Sequence, residues 1–290
     1  VSEREARAGE AEGAPAWEDP RRVLARHGLR PKRAFSQNFL VSRAAVERIA
    51  AAVGPAPGEL VVELGPGLGT LTAALARAGA RVLALERDRD MIAVVRAELG
   101  RAGVEVREGD ATAVDYAALA AERGVPAVAV AGNLPYAITG AILRDLVASR
   151  RAVSRAVIMV QREVRDRLVA APGTAAYGAV TVFVQAAYAV RPVALVPAGA
   201  FHPPPKVDSA VVALVPHAAP RAEENEAFRE VVRAAFDARR KTLRNALARA
   251  MGAEAADRAL AAAGVDGGRR GETLSVEEFA ALAAAIPARG

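Results

Sequence analysis

Between residues 60 and 161, short apolar runs alternate with helical patterns, and this alternation restricts the chain to very few folds. "LVVEL" (60–64) reads as a strand buried on both faces, and "TLTAALARAG" (70–79) as a helix that Gly79 can end. "RVLALE" (81–86) and "DRDMIAVVRAEL" (88–99) repeat the pair, with Asp88 placed to cap the helix. "VEVREGD" (104–110), "AVAVAGN" (127–133) and "RAVIMVQ" (155–161) read as three more strands. The spacing predicts a parallel sheet with helices on both faces, a doubly wound, Rossmann-like α/β domain. Ligands of such sheets bind beyond the carboxyl ends of the strands. The residues that end strands therefore carry the functional information.

After "VPAGAFHPPPKVDSAVVALVP" (196–216) the pattern turns Ala-rich and helical. Residues 1–20 read as a flexible leader, 21–218 as the α/β domain and 219–290 as a small helical domain. No apolar run is long enough to span a bilayer, and the N-terminus lacks the layout of a secretory signal. The chain has no cysteine, and its three histidines are scattered, so no metal site is expected. A reducing, cytoplasmic setting is compatible with that composition.

Net charge is +6 with a pI near 10.2. This favours a polyanionic partner, although a preference for Arg over Lys would raise the pI as well. The distribution is more telling. "RRVLARHGLRPKR" (21–33) has six Lys or Arg and no acid, and "FREVVRAAFDARRKTLRNALARA" (228–250) has seven against two acids. A solvated helix face normally mixes its signs, so both stretches read as phosphate-facing surfaces.

The first strand runs into "VVELGPGLGTLT", where Gly65, Gly67 and Gly69 let the backbone approach a ligand closely. A dinucleotide fingerprint would need glycine where Thr70 stands, and Glu63 suits a ligand with a positive end better than a pyrophosphate. Glu86 ends the second strand, about 20 residues on, where a carboxylate can hold both ribose hydroxyls. Asp110 ends the third, placed to accept from an adenine amino group. Each acid alone reads better as a cap or a surface charge. In sequence they describe a pocket for an adenosine without phosphates, which points to S-adenosylmethionine.

The fourth strand ends in Asn133-Leu134-Pro135-Tyr136. This motif after a glycine-rich first turn resembles the adenine-N6 methyltransferases. The wider pattern is similar to one branch, the KsgA/RsmA-type ribosomal RNA adenine dimethyltransferases. "RAFSQNFL" (33–40), "FHPPPKVDSAVV" (201–212) and "AFDARRKTLRNAL" (235–247) carry the resemblance, which runs from about residue 30 to the end. It implies a seven-stranded methyltransferase sheet whose last strand runs antiparallel, with a helical C-terminal domain. It also implies cofactor contacts at Asn38, Leu40, Gly65, Gly67, Glu86, Asp110 and Asn133. The implied substrate is two adjacent adenines in the 3′-terminal hairpin of small-subunit (16S) rRNA, each dimethylated, with the immature small ribosomal subunit as partner and the chain acting as a monomer.

The residues suggest the chemistry. An exocyclic adenine amine is a poor nucleophile because its lone pair is delocalised. If the Asn133 side-chain oxygen and a backbone carbonyl near Pro135 accept its two N–H bonds, they stabilise the positive charge that develops on nitrogen. Pro135 fixes φ and brings no competing N–H, and Tyr136 can stack on an extruded base. The resemblance sets Phe201 near the other side of that base. Arg239, Arg240, Lys241 and Arg244 are expected on one helix, facing rRNA phosphates. Three rivals share some of these features: a large-subunit resistance methyltransferase, a DNA adenine methyltransferase, and an assembly factor whose methylation is dispensable.

Overall fold

The computed structural model describes residues 16–238 and 241–286. The first helix among the described residues is α1 (Pro20–Arg26), capped by the Asp19 carboxylate; of the expected leader 1–20, residues 1–15 lie outside the described residues and Pro20 belongs to this helix. α2 (Arg43–Val53) follows, capped by Ser42. Five strands then alternate with helices: β1 (Leu60–Leu64), α3 (Thr70–Arg77), β2 (Arg81–Glu86), α4 (Arg89–Leu99), β3 (Glu105–Glu108), α5 (Tyr116–Glu122), β4 (Val128–Asn133), α6 (Thr139–Ala148) and β5 (Val153–Gln161). Next come α7 (Arg162–Leu168), α8 (Ala179–Ala187), β6 (Tyr188–Val196) and β7 (Ser209–Pro216).

Sequence patterns explain the boundaries. α3 ends as expected at Gly79, whose φ of +90° lets its own N–H reach Ala76 O and that of Ala80 reach Leu75 O. α4 starts where Asp88 accepts from the Asp90 N–H. β1 is buried along all five residues, as its unbroken apolar run requires, with one exception in chemistry at Glu63.

The seven strands lie in the order β3-β2-β1-β4-β5-β7-β6. β1 to β5 pair in parallel, and β7 runs antiparallel to β5, from Gln161↔Ser209 to Ala156↔Leu214. The resemblance implied this arrangement. The order reverses between β1 and β4, and a crevice at the carboxyl ends of these strands follows from that reversal. A separate two-stranded ribbon pairs Phe39–Leu40 with Phe201–His202.

The chain divides into two compact units, residues 1–162 with 191–214, and residues 163–190 with 215–290. The sequence reading placed 163–190 with the α/β domain. In the structure, Tyr177 and the inner face of α8 (Val182, Ala186) share a core with Phe228, Phe236 and Phe279. That second unit contains α9 (Glu226–Asp237), α10 (Leu243–Met251), α11 (Ala253–Ala263) and α12 (Val276–Ala284). A reciprocal bond pair between Ser275 and Glu278 caps α12.

Candidate active site

The carboxyl ends of β1, β2, β3 and β4 meet around an open cavity of about 320 Å³. Glu63, Gly65, Glu86, Asp110, Asn133 and Phe201 are among its walls. The turn after β1 bends through Gly65 at φ +69°, and a Cβ there would meet nothing within 4 Å, so the backbone lies open to a ligand. Gly67, at φ +56°, packs against the Phe39 ring, which a Cβ would approach to 3.1 Å.

Backbone N–H groups fix the Glu86 carboxylate. Oε1 accepts from Arg87 N (2.8 Å) and Asp88 N (2.9 Å), and Oε2 accepts from Gly67 N (3.1 Å). A carboxylate has about four acceptor positions, so one remains for a ligand. Asp110 is held by Thr112, whose N–H and hydroxyl donate to Oδ1 at 2.9 and 2.7 Å. These bonds, and Arg87 3.8 Å from Oδ2, keep its carboxyl below the usual carboxylate range. Both acids are thus oriented by hydrogen bonds at adjacent strand ends.

The N-terminal motif closes one side of the cavity. Asn38 Nδ2 donates to Ser36 O (3.1 Å), and the Asn38 carbonyl accepts from Asn133 Nδ2 (3.1 Å). Since only the NH₂ end of the Asn133 amide can donate to a carbonyl, this bond fixes the flip of the side chain. The stretch is fastened to the acidic corner as well. Lys32 Nζ and Gln37 Nε2 bond the two oxygens of Asp88 at 2.7 and 2.8 Å, and Asp88 is 3% exposed. Sequence reasoning took Asp88 for a cap alone and missed this second role, because its partners lie more than fifty residues away.

The residues after Asn133 divide their tasks. Leu134 belongs to the motif expected to be catalytic, yet its side chain is 1% exposed and its N–H donates to Met159 O, which anchors the loop to β5. The Pro135 carbonyl accepts from Ile138 N (3.1 Å) and the Thr139 hydroxyl (3.4 Å), so it is occupied. The Leu134 carbonyl accepts no hydrogen bond among the described residues. Tyr136 is half-buried rather than fully exposed, and its hydroxyl meets Ser209 Oγ at 2.8 Å, which holds the ring. Phe201 is 4% exposed and pairs with Leu40 in the ribbon.

The expected RNA-facing group is less uniform. Arg239 and Arg240 lie outside the described residues. Lys241 is exposed but sits between helices, because α9 stops at Asp237 and Thr242 caps a new helix, so one continuous helix does not carry this set. Arg244 lies in the first turn of α10, and Asp257 engages its guanidinium at 2.7 and 2.6 Å. In the N-terminal basic stretch, Arg21, Arg26 and Lys32 are paired with acids, whereas Arg22, Arg30 and Arg33 are exposed. Among the described residues no cluster of acids and histidines could hold a metal, and no helix is long and apolar enough to cross a membrane.

The cavity suits a nucleoside ligand with a positive end. It offers an open glycine turn, two oriented carboxylates and, in Glu63, a buried carboxyl whose Oε2 has no partner. The family model described as Ribosomal RNA adenine dimethylase matches residues 28–287. Proteins called Ribosomal RNA small subunit methyltransferase A are similar over nearly their whole length. That of Myxococcus xanthus (strain DK1622) is 50% identical over 274 residues, covering 93% of this chain and 95% of the relative. That of Anaeromyxobacter dehalogenans (strain 2CP-C) is 48% identical over 280 residues, covering 93% and 98%. Among solved structures, a dimethyladenosine transferase from Plasmodium falciparum has a TM-score of 0.71 at 25% identity, covering 84% of this chain and 95% of that one.

Proposed function

The chain belongs to the ribosomal RNA adenine dimethylase family and is an S-adenosylmethionine-dependent adenine dimethyltransferase of small-subunit (16S) rRNA; from that premise we propose that it dimethylates the N6 amines of two adjacent adenines in the 3′-terminal hairpin, acting as a monomer on the immature small subunit in the cytoplasm. When bound, S-adenosylmethionine supplies an electrophilic methyl group on a positively charged sulfur. Glu86, with one acceptor position left, would hold one ribose hydroxyl, and Asp110 the adenine amino group. The glycine turn at Gly65 and Gly67, with Asn38 and Leu40 opposite, would enclose it.

The remaining residues prepare the adenine. Asn133 carries this reading, since the bond from its Nδ2 to the Asn38 carbonyl leaves Oδ1 as the acceptor for the target amine. The Leu134 carbonyl is the second acceptor, in place of the occupied Pro135 carbonyl. Two acceptors on one amine draw its nitrogen toward tetrahedral geometry and stabilise the charge it gains during attack. Tyr136, steadied by Ser209, stacks on the extruded base, and Phe201 bounds the pocket. The methylated nitrogen is acidic and loses its proton to solvent afterwards, so no dedicated strong base is needed.

Asn133→Ala tests this. Loss of one preorganised acceptor should lower single-turnover methyl transfer by about 10² to 10³, while affinity for immature small subunits stays near the wild-type value. Mass spectrometry of the modified nucleosides would read both the position and the number of methyl groups. Turnover within a few-fold of wild type would overturn the assignment.

A further inference from the structure

The roles above leave one buried carboxyl unused. Glu63 lies within the core of the central strand and is 1% exposed. Its neighbours in register, Ala84 of β2 and Ala131 of β4, carry no charge. The groups that bear on it are Thr72 of α3 and Glu86 of β2, and neither is a cation. Glu63 Oε2 and Thr72 Oγ1 are both buried without a hydrogen-bond partner. Burial pushes the Glu63 carboxyl up to about 8; the Thr72 hydroxyl opposes this and the Glu86 carboxylate adds to it.

An unpaired carboxylate in such a setting is costly, and a buried polar atom left open in a native site calls for a reason. The reason is in the geometry. Glu63 lines the same cavity as Gly65, Glu86 and Asp110, so this carboxyl borders whatever occupies that space. A cation brought into a dry pocket beside a carboxyl favours the charged form of that carboxyl.

We propose that Glu63 is neutral in the free site and releases its proton when the cationic methyl donor binds, so that the pocket discriminates by the charge of its ligand. The inference rests on the methyltransferase reading of the cavity. In this step the carboxyl O–H bond breaks, the proton passes to solvent, and the carboxylate formed pairs with the positive end of the ligand. Binding then strengthens about tenfold per pH unit below about pH 8 and levels off above it. A neutral nucleoside such as adenosine gains nothing from the ionisation.

Isothermal titration of the full chain at pH 7, in two buffers of different ionisation enthalpy, counts the protons released. S-adenosylmethionine should release close to one proton per site and adenosine none. Glu63→Gln should bind the donor without that release. The wild-type protein alone supplies a second measurement, because its release should fall toward zero by pH 9. Unchanged release in Glu63→Gln, or none in the wild type at pH 7, would overturn the proposal. Absence of any donor binding would instead overturn the methyltransferase reading beneath it.

Discussion

Three carboxyl groups around one cavity have three different sets of hydrogen-bond partners. Glu86 takes its N–H donors from the backbone of the adjoining turns, and Asp110 takes its donors from Thr112. Glu63 has neither. The sequence shows all three as acids at or near strand ends, but it does not show which of them lacks donors. The difference has a measurable consequence. An ordinary glutamate has a pKa near 4.5, whereas burial raises Glu63 to about 8. Between these values the folded protein keeps a proton that the unfolded chain has lost. Stability from this group is therefore fully present below about pH 4.5 and falls by about 1.4 kcal/mol per unit as pH rises toward 8. Glu63→Gln should remove that decline and gain on the wild type between pH 5 and pH 8 in urea unfolding without ligand. Parallel stability curves for the two proteins would contradict the assignment.

Helices and strands here were readable because their periodicity and caps are local. β1, β2 and the stop of α3 fall where the apolar runs and Gly79 put them. Two features were not readable. One is the start of α10 after α9, where the Thr242 hydroxyl accepts from Asn245 N and the first two N–H groups of the new helix, on Leu243 and Arg244, donate to Arg269 O and Gly267 O. The other is the fastening of residues 32–38 to Asp88 at the start of α4. That loop presents the Asn38 carbonyl to Asn133, so on the proposed mechanism Asp88 is a positioning residue for the amine acceptor. Asp88→Ala should leave Lys32 and Gln37 without their shared partner. Faster amide hydrogen exchange in 33–38 is expected, with weaker donor binding and lower transfer rate together. Conversely, Asp88→Asn keeps one side-chain oxygen for the Asp90 N–H cap, loses the acceptor for Gln37, and should recover part of the loss. An exchange pattern in 33–38 identical to wild type in Asp88→Ala would show that the loop is held by other means.

For the whole protein, the question is how a strongly basic chain selects one RNA hairpin. Charge supplies affinity and salt dependence, while shape and pocket fit supply selection. Pairing of Arg244 with Asp257 shifts the expected phosphate contacts toward Lys241 and toward Arg239 and Arg240. Replacing Arg239 and Arg240 by Gln should weaken binding to small-subunit rRNA and reduce the steepness of its salt dependence by about one to two. Filter binding across a salt series measures both, and an unchanged slope would move the RNA surface to Arg22, Arg30 and Arg33. The order of elements, the class of sheet and the acids at its strand ends were present in the sequence, because periodicity and turn chemistry act over a few residues. The grip of Asn38 on Asn133 spans 95 positions, and residues 163–190 share the core of the second unit with Phe228 and Phe279. Those contacts, and the isolation of Glu63, depend on which distant segments meet. Only the folded chain decides that, since burial and hydrogen-bond partners belong to the assembled neighbourhood and not to any one stretch of sequence.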